Sequence, residues 1–327
     1  MIHTFKFYIP LHYQEVQDLQ KRFNIKYTEL NRYFAGKFPS VTMAISNSGN
    51  GQWKLYMVVD AIKLIGKPNI TEADYESIEK ELKYILWHVA GYSSHFKEHI
   101  LLRIDFRFDV PIKDKSIRML LMTLYKKQTK SYRFQKKYLG KLTNGVFVPY
   151  KTTVYHSSNS IESMVYLKSE EREAKGEKIE DYERDVIRYE IHVMEDHLYY
   201  MEKKKEKNQR PRKLAAYLKE DVYKDYFRKY MSQIYHPGDF YKIDAARKKL
   251  KSSALPTKDK LKLIEFLKQV SSNSIDTPLK KMSKGTFKSR LALLREVGIN
   301  PVLIPKNYQS NSPVPSTLKN PLNDFPW

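Results

Sequence analysis

The chain has 327 residues, 41% of them hydrophobic, enough for one large domain or two of ordinary size. Lys and Arg number 59 against 37 Asp and Glu, a formal net charge of +22, so the partners to expect are polyanions: nucleic acid first, an anionic membrane surface second. There is no cysteine, which excludes disulfides, thiolate catalysis and Cys-ligated zinc, and no stretch approaches the ~20 apolar residues of a membrane span.

The opening "MIHTFKFYIPLHYQEV" lacks the apolar run of a signal peptide, so a soluble intracellular protein is expected. Within it "IHTFKFYI" alternates, with Phe5, Phe7 and Ile9 on one face, and predicts a strand. "QWKLYMVVDAIKL" predicts another, closed by "GKPN". "ITEADYESIEKELKYILWHV" predicts a helix, with Thr71 and Asp74 as a capping box and Tyr75, Ile78, Leu82 and Ile85 at helical spacing. "LLRIDFRFDV" alternates cleanly, placing Ile104, Phe106 and Phe108 inward and Arg103, Asp105, Arg107 and Asp109 on the other face. A short amphipathic helix, "KSIRMLLMTLYKK", comes next, then strand-like pieces at 131–138, 145–149, 152–156 and 162–168. A charged loop over 169–183 leads to a last strand, "DVIRYEIHVM".

From about residue 198 the pattern becomes helical and basic, in "RKLAAYLKEDVYKDYFRKYMSQIY", "KDKLKLIEFLKQV" and "GTFKSRLALLREVGINP", the last stopped by Gly298 and Pro301. The fold class expected is therefore α+β: an antiparallel sheet with helices packed on it over 1–197, a mostly α-helical basic region over 198–306, and a flexible tail over 307–327.

Residues two apart on a strand point the same way. Asp60 lies on one strand, Asp105 on a second, Tyr166 and Lys168 on a third, and Arg188, Glu190 and His192 on a fourth. If these strands are neighbours, carboxylates, a tyrosine and basic groups share one face, and oxygen donors of that kind suit Mg²⁺ or Mn²⁺. "EIH" at 190–192 sets two possible ligands on one face with an apolar residue between them. Each feature has a plainer reading. Arg103-x-Asp105-x-Arg107-x-Asp109 fits a solvated face laced with weak ion pairs, Lys168 a solvated side chain, and His192 a surface histidine. In the C-terminal half, the last two helices fit either a DNA-binding helix-turn-helix, with Lys284, Lys288 and Arg290 near the start of the second helix, or a plain bundle.

In chain order, "MIHTFKFYIPL", "LYMVVDAIKLIGKPNITEAD", "LLRIDFRFD", "TTVYHSSNSIESMVYLKSEE" and "VIRYEIHV" resemble the strands of phage and plasmid replication proteins of the gene II/X family, the rolling-circle initiators of filamentous phages. "YLKSEER" is also similar to the Tyr-x-Lys-x-x-Glu-Arg pattern of staphylococcal plasmid initiators. The resemblance covers roughly residues 1–195. It implies an HUH-like nicking domain in a bacterial cytoplasm, with Tyr166 as nucleophile, Lys168 beside it, and a metal held by Asp105 and Glu190, with Asp60 and His192 as further candidates. Arg103, Arg107 and Arg188 are then candidates for DNA contact. The chain departs from the pattern in two places: it has no histidine-hydrophobic-histidine triplet, and Asp60 stands where the phage family carries Glu.

The implied activity is attack of Tyr166 on single-stranded or extruded origin DNA, giving a 5′-phosphotyrosyl link and a 3′-OH primer, with a host helicase and polymerase as partners. Tyr155 or Tyr189 could serve as a second tyrosine. The rivals are a non-enzymatic DNA-binding regulator, a structural RNA-binding protein, and a relaxase of a mobile element with the same chemistry. A tyrosine recombinase needs an Arg-His-Arg constellation that this chain does not supply.

Overall fold

A computed structural model describes residues 1–49, 51–128, 134–204, 209–309 and 313–327. The first residues of the strand expected at 131–138 lie outside the described residues, as do four of the basic run 202–213. The chain is α+β with a large antiparallel sheet, as its alternating segments predict. Its strands are β1 (Ile2–Leu11), β2 (Val41–Asn47), β3 (Trp53–Asp60), β4 (Ile100–Pro111), β5 (Gln135–Lys137), β8 (Thr153–Ser157), β9 (Ile161–Leu167) and β10 (Val186–Val193), in the order β2-β3-β1-β4-β10-β9-β8-β5. Strands β6 (Gly140–Thr143) and β7 (Val146–Pro149) form a separate ribbon. No helix among the described residues is long and apolar enough to cross a membrane.

The chain divides into two compact units. One comprises Met1–Arg107, Asn159–Ile161 and Ile191–Asp225, the other Phe108–Ser158, Glu162–Glu190 and Tyr226–Trp327. In the first unit, Phe5, Phe7 and Ile9 of β1 are fully buried and pair across to Val59, Met57 and Leu55 of β3. The helix Tyr75–Ala90 lays Ile78, Leu82, Ile85, Leu86 and Val89 into this core. Its entry is the predicted capping box: Asp74 accepts from the Thr71 backbone N–H at 2.7 Å and from the Thr71 hydroxyl at 2.9 Å. The strand expected through "QWKLYMVVDAIKL" instead stops at Asp60. The Asp60 carboxylate accepts from the backbone N–H groups of Ile62 and Lys63, both at 3.1 Å, and so caps the short helix Ala61–Ile65.

In the second unit, β9 turns Ile161's successors Ser163, Val165 and Leu167 inward and leaves Glu162 and Met164 half-exposed on the opposite face. The helices Lys115–Lys126, Ile243–Ser252, Thr257–Ser272 and Lys284–Glu296 also belong to this unit. Part of the stretch expected to form a flexible tail is held in place. Residues Thr317–Leu318 pair with Phe240–Tyr241, and Phe325 stacks on Phe227 with ring centroids 4.5 Å apart. Asn320 is the reason. Fully buried, its amide donates to the carbonyls of His236 and Gly238 and accepts from the Tyr125 hydroxyl at 2.9 Å. A Ser/Asn/Pro-rich composition resembles a linker, but one buried amide with three partners ties this stretch down.

Of the two readings of the last two helices, the helix-turn-helix does not fit their connection. Residues 273–283 separate Thr257–Ser272 from Lys284–Glu296 and include the 3₁₀ turn Thr277–Lys280, whereas that motif needs a turn of about three or four residues.

His99, in the first unit, makes acid stability a test of the packing. Its Nε2 accepts from the Leu214 backbone N–H at 2.9 Å, and its Nδ1 lies 2.6 Å from the Phe96 carbonyl, to which it donates. The bond accepted at Nε2 requires the neutral ring, and burial pushes its pKa down to about 4 against the pull of the Phe96 bond. The unfolded chain takes up this proton below about pH 6.5 while the folded chain does not, so stability present above pH 6.5 is lost as pH falls towards 4. Urea titrations between pH 7 and 4 should show this loss, with a shallower slope for His99→Gln. Equal slopes would remove His99 from the account.

Candidate active site

The candidate residues fall into two groups, one in each unit. In the first unit, Asp105 points from β4 and is nearly fully buried. Arg103, two residues earlier on the same face, grips it with Nε 2.8 Å from Oδ1 and Nη2 2.6 Å from Oδ2. His192 of β10 brings Nε2 to 4.0 Å from Asp105 Oδ1. Arg107 is buried and donates to the Pro68 carbonyl. Two of the arginines expected to meet DNA thus have work inside the unit. Arg103 neutralises an acidic side chain, and Arg107 ties β4 to a loop.

In the second unit, the Tyr166 hydroxyl donates to Glu190 Oε1 at 2.9 Å. Tyr166 is 7% exposed and Glu190 is buried. Arg188 is 0% exposed; its Nε and Nη2 make a fork to Asp109 at 2.8 and 2.9 Å. Its Nη1 is buried without a hydrogen-bond partner among the described residues, 3.9 Å from Glu190 Oε1. The third arginine expected to read DNA is therefore a buried cation beside the tyrosine and its carboxylate. Burial, and then the Glu190 charge, push the Tyr166 phenol well above 10, while Arg188 opposes them. The resting tyrosine is a neutral phenol with its proton already aimed at a carboxylate.

Lys168 does not extend the strand. It is the first residue of a helix, Lys168–Lys175, that replaces the expected charged loop. The ammonium is buried, 2.7 Å from Glu171 and 3.6 Å from Glu183, and sits over the Tyr166 ring 5.8 Å from its centroid. Burial, and then Arg188, lower its pKa against the pull of Glu171. It is a member of an ion network with Arg172 and Glu183 rather than an activator of the phenol. Sequence signals for the helix exist in Glu170 and Glu171 in its first turn, Arg172 and Lys175 in its last, and Gly176 closing it in the left-handed conformation.

Of the two further tyrosines, Tyr189 is fully buried with its hydroxyl 2.5 Å from that of Tyr125, which leaves it in the core. Tyr155 donates to Glu162. The β8–β9 register pairs Thr153 with Tyr166 and Tyr155 with Met164, so Tyr155 and Tyr166 lie on the same face. Lys284 and Lys288 are exposed on their helix, and Arg290 pairs with Asp259 at 3.7 Å. Asp60 is the helix cap already described.

Among the described residues no group of three or more His, Asp or Glu assembles as a metal site. The donor chemistry of Asp105 and His192 nevertheless fits a divalent cation. Mg²⁺ commonly takes only one or two protein carboxylates and completes its shell with water and phosphate. Binding there requires Arg103 to release at least one Asp105 oxygen.

No family model and no curated relative matches the chain. Its fold is similar to a solved structure of a rolling circle replication initiator protein from Geobacillus stearothermophilus, at 11% identity and a TM-score of 0.33, over 94% of this chain and 98% of that one. At that TM-score the likeness assigns no residue a role.

Arg188 is the residue whose loss the second unit should feel most. Arg188→Met keeps most of the volume but leaves Asp109 and Glu190 without their cation, and should cost about 3–5 kcal/mol in chemical denaturation. A cost within ~0.5 kcal/mol of zero would mean that Arg188 is not holding the carboxylates.

Proposed function

We propose that the chain is a rolling-circle replication initiator that nicks one DNA strand at an origin, with Tyr166 as nucleophile and Glu190 as its general base. The observation that carries this reading is the 2.9 Å hydrogen bond from a buried tyrosine to a buried carboxylate, with a buried arginine Nη1 3.9 Å from that carboxylate. Support also comes from the sequence, where Tyr166 falls at the tyrosine of the Tyr-x-Lys motif and Asp105 at the aspartate of the Arg-Ile-Asp strand.

A phenol is a weak nucleophile at neutral pH, and one with a raised pKa is weaker still until its proton leaves. Glu190 is in place to take that proton as the Tyr166 oxygen bonds to the scissile phosphorus. The phosphorus–O3′ bond breaks, and the departing oxygen takes a proton to become the 3′-OH primer. The phosphodiester is exchanged for a phosphotyrosyl ester, so rejoining needs no ATP. Arg188 would offset charge that develops on the phosphoryl oxygens through its Nη1, which makes no hydrogen bond among the described residues. In the first unit, Asp105 and His192 would hold a divalent cation, and the chemistry it would supply is offset of negative charge on a phosphate oxygen. The DNA strand must be single-stranded or extruded, because an oxygen anchored on a strand cannot reach in line into a duplex.

The test is formation of an SDS-resistant adduct with single-stranded origin DNA in Mg²⁺ or Mn²⁺. Wild type should form it and Tyr166→Phe should not. Glu190→Gln should slow it by roughly 10²–10⁴, the usual range for a lost general base. Wild-type levels of adduct in Tyr166→Phe would remove the nucleophile from the proposal. A protein that binds DNA but forms no adduct under any metal would be a regulator instead.

A further inference from the structure

Residues 115–161 hold ten Lys and Arg and no Asp or Glu. The β6–β7 ribbon lies within this stretch. It pairs Lys141 with Val148, Leu142 with Phe147 and Thr143 with Val146, and turns at Asn144-Gly145, both at positive φ as a two-residue hairpin turn of this hand requires. Strand alternation puts Leu142, Phe147 and Pro149 on one face and Lys141, Thr143, Val146 and Val148 on the other. A ribbon this apolar ordinarily covers a core. Here Leu142 is 75% exposed, Val146 64% and Phe147 50%, and Tyr138 at the ribbon's base is 62% exposed. Exposed apolar surface gathered in this way marks a place where something binds.

The ribbon is built to hold a ring flat. A Cβ on Gly140 would lie 2.7 Å from Phe147 Cζ and 2.3 Å from the Val148 carbonyl oxygen, so no other residue lets the Phe147 ring settle over that strand. One side of the ring rests on glycine and half of its surface stays open. The charged residues of the ribbon and the segments flanking it have one sign: Lys137, Lys141 and Lys151 are exposed, and Lys136 lies over the Tyr138 ring at 5.7 Å. Open aromatic faces among cations suit a polyanion that itself carries flat apolar faces, which describes the unpaired bases of a single strand.

We propose that the β6–β7 ribbon is an arm that binds single-stranded nucleic acid, with Phe147 and Tyr138 stacking on bases and Lys137, Lys141 and Lys151 meeting phosphates. This names where the strand of the proposed reaction is held. It rests on that reading only for the nature of the ligand and not for the chemistry at Tyr166.

The test is fluorescence anisotropy of a labelled oligothymidylate of about 16 nucleotides with the full-length protein. Phe147→Ala combined with Tyr138→Ala should weaken binding roughly ten- to hundredfold. Lys141→Glu should lower the slope of log affinity against log salt by about 0.7. Thermal stability should not change, because these side chains are exposed. If wild type fails to bind the oligonucleotide, or the double variant binds it unchanged, the proposal falls. It falls equally if the double variant keeps its oligonucleotide affinity but loses binding to phosphatidylserine vesicles, which would make the ribbon a membrane contact. Absence of a wild-type adduct together with weakened binding by the double variant would sink the nicking reading and leave the arm standing.

Discussion

Arg188 is the bulkiest side chain that the structure buries completely, and it is charged. Removing a guanidinium from water is affordable only if anions replace the water, so its burial dictates what surrounds it. Asp109 supplies both oxygens of a fork and Glu190 stands at 3.9 Å from the remaining nitrogen. Glu190 in turn accepts a hydrogen bond from the Tyr166 hydroxyl. A tyrosine, the carboxylate it is bonded to and a second carboxylate are thus held together by one desolvated cation. Burial and the Glu190 charge raise the pKa of Tyr166, with Arg188 opposing them, so the phenol is neutral at rest.

Much of the scaffold was legible in the sequence. The period of two in "LLRIDFRFDV" gave β4 its faces, and the Thr71–Asp74 box marked where the helix Tyr75–Ala90 begins. The spacing of Arg188, Glu190 and His192 placed all three on one side of β10. Alternation tells which residues share a face and nothing about whether that face is covered. The Arg-x-Asp-x-Arg-x-Asp pattern therefore fitted a solvated surface, whereas Asp105 and Arg107 are buried and each needs a specific partner. Arg107 and Arg188 went from candidate DNA contacts to internal cations for that reason.

Other differences trace to contacts that are local but compete with the pattern. Asp60 reads as the acidic end of a strand, yet two backbone N–H groups within three residues claim its carboxylate. Lys168 reads as the second outward position after Tyr166, yet the chain turns helical there and the ammonium is drawn to Glu171. Asn320 has no signature in a polar tail, because its importance comes from Tyr125, nearly two hundred residues away in the chain. The Tyr166–Glu190 bond has a similar origin: strand identity was visible, but not which two strands adjoin. By contrast, the β6–β7 ribbon carries its oddity on its face, in apolar side chains that the fold leaves in water.

The most direct measurement is to identify the amino acid that carries DNA. Wild-type protein would be reacted with single-stranded origin DNA, digested with nuclease and protease, and its nucleotide-bearing peptide sequenced by mass spectrometry. The account predicts a phosphotyrosyl nucleotide on the peptide containing Tyr166. The same mass addition found only on a peptide containing Tyr155, or on a residue other than tyrosine, would contradict it.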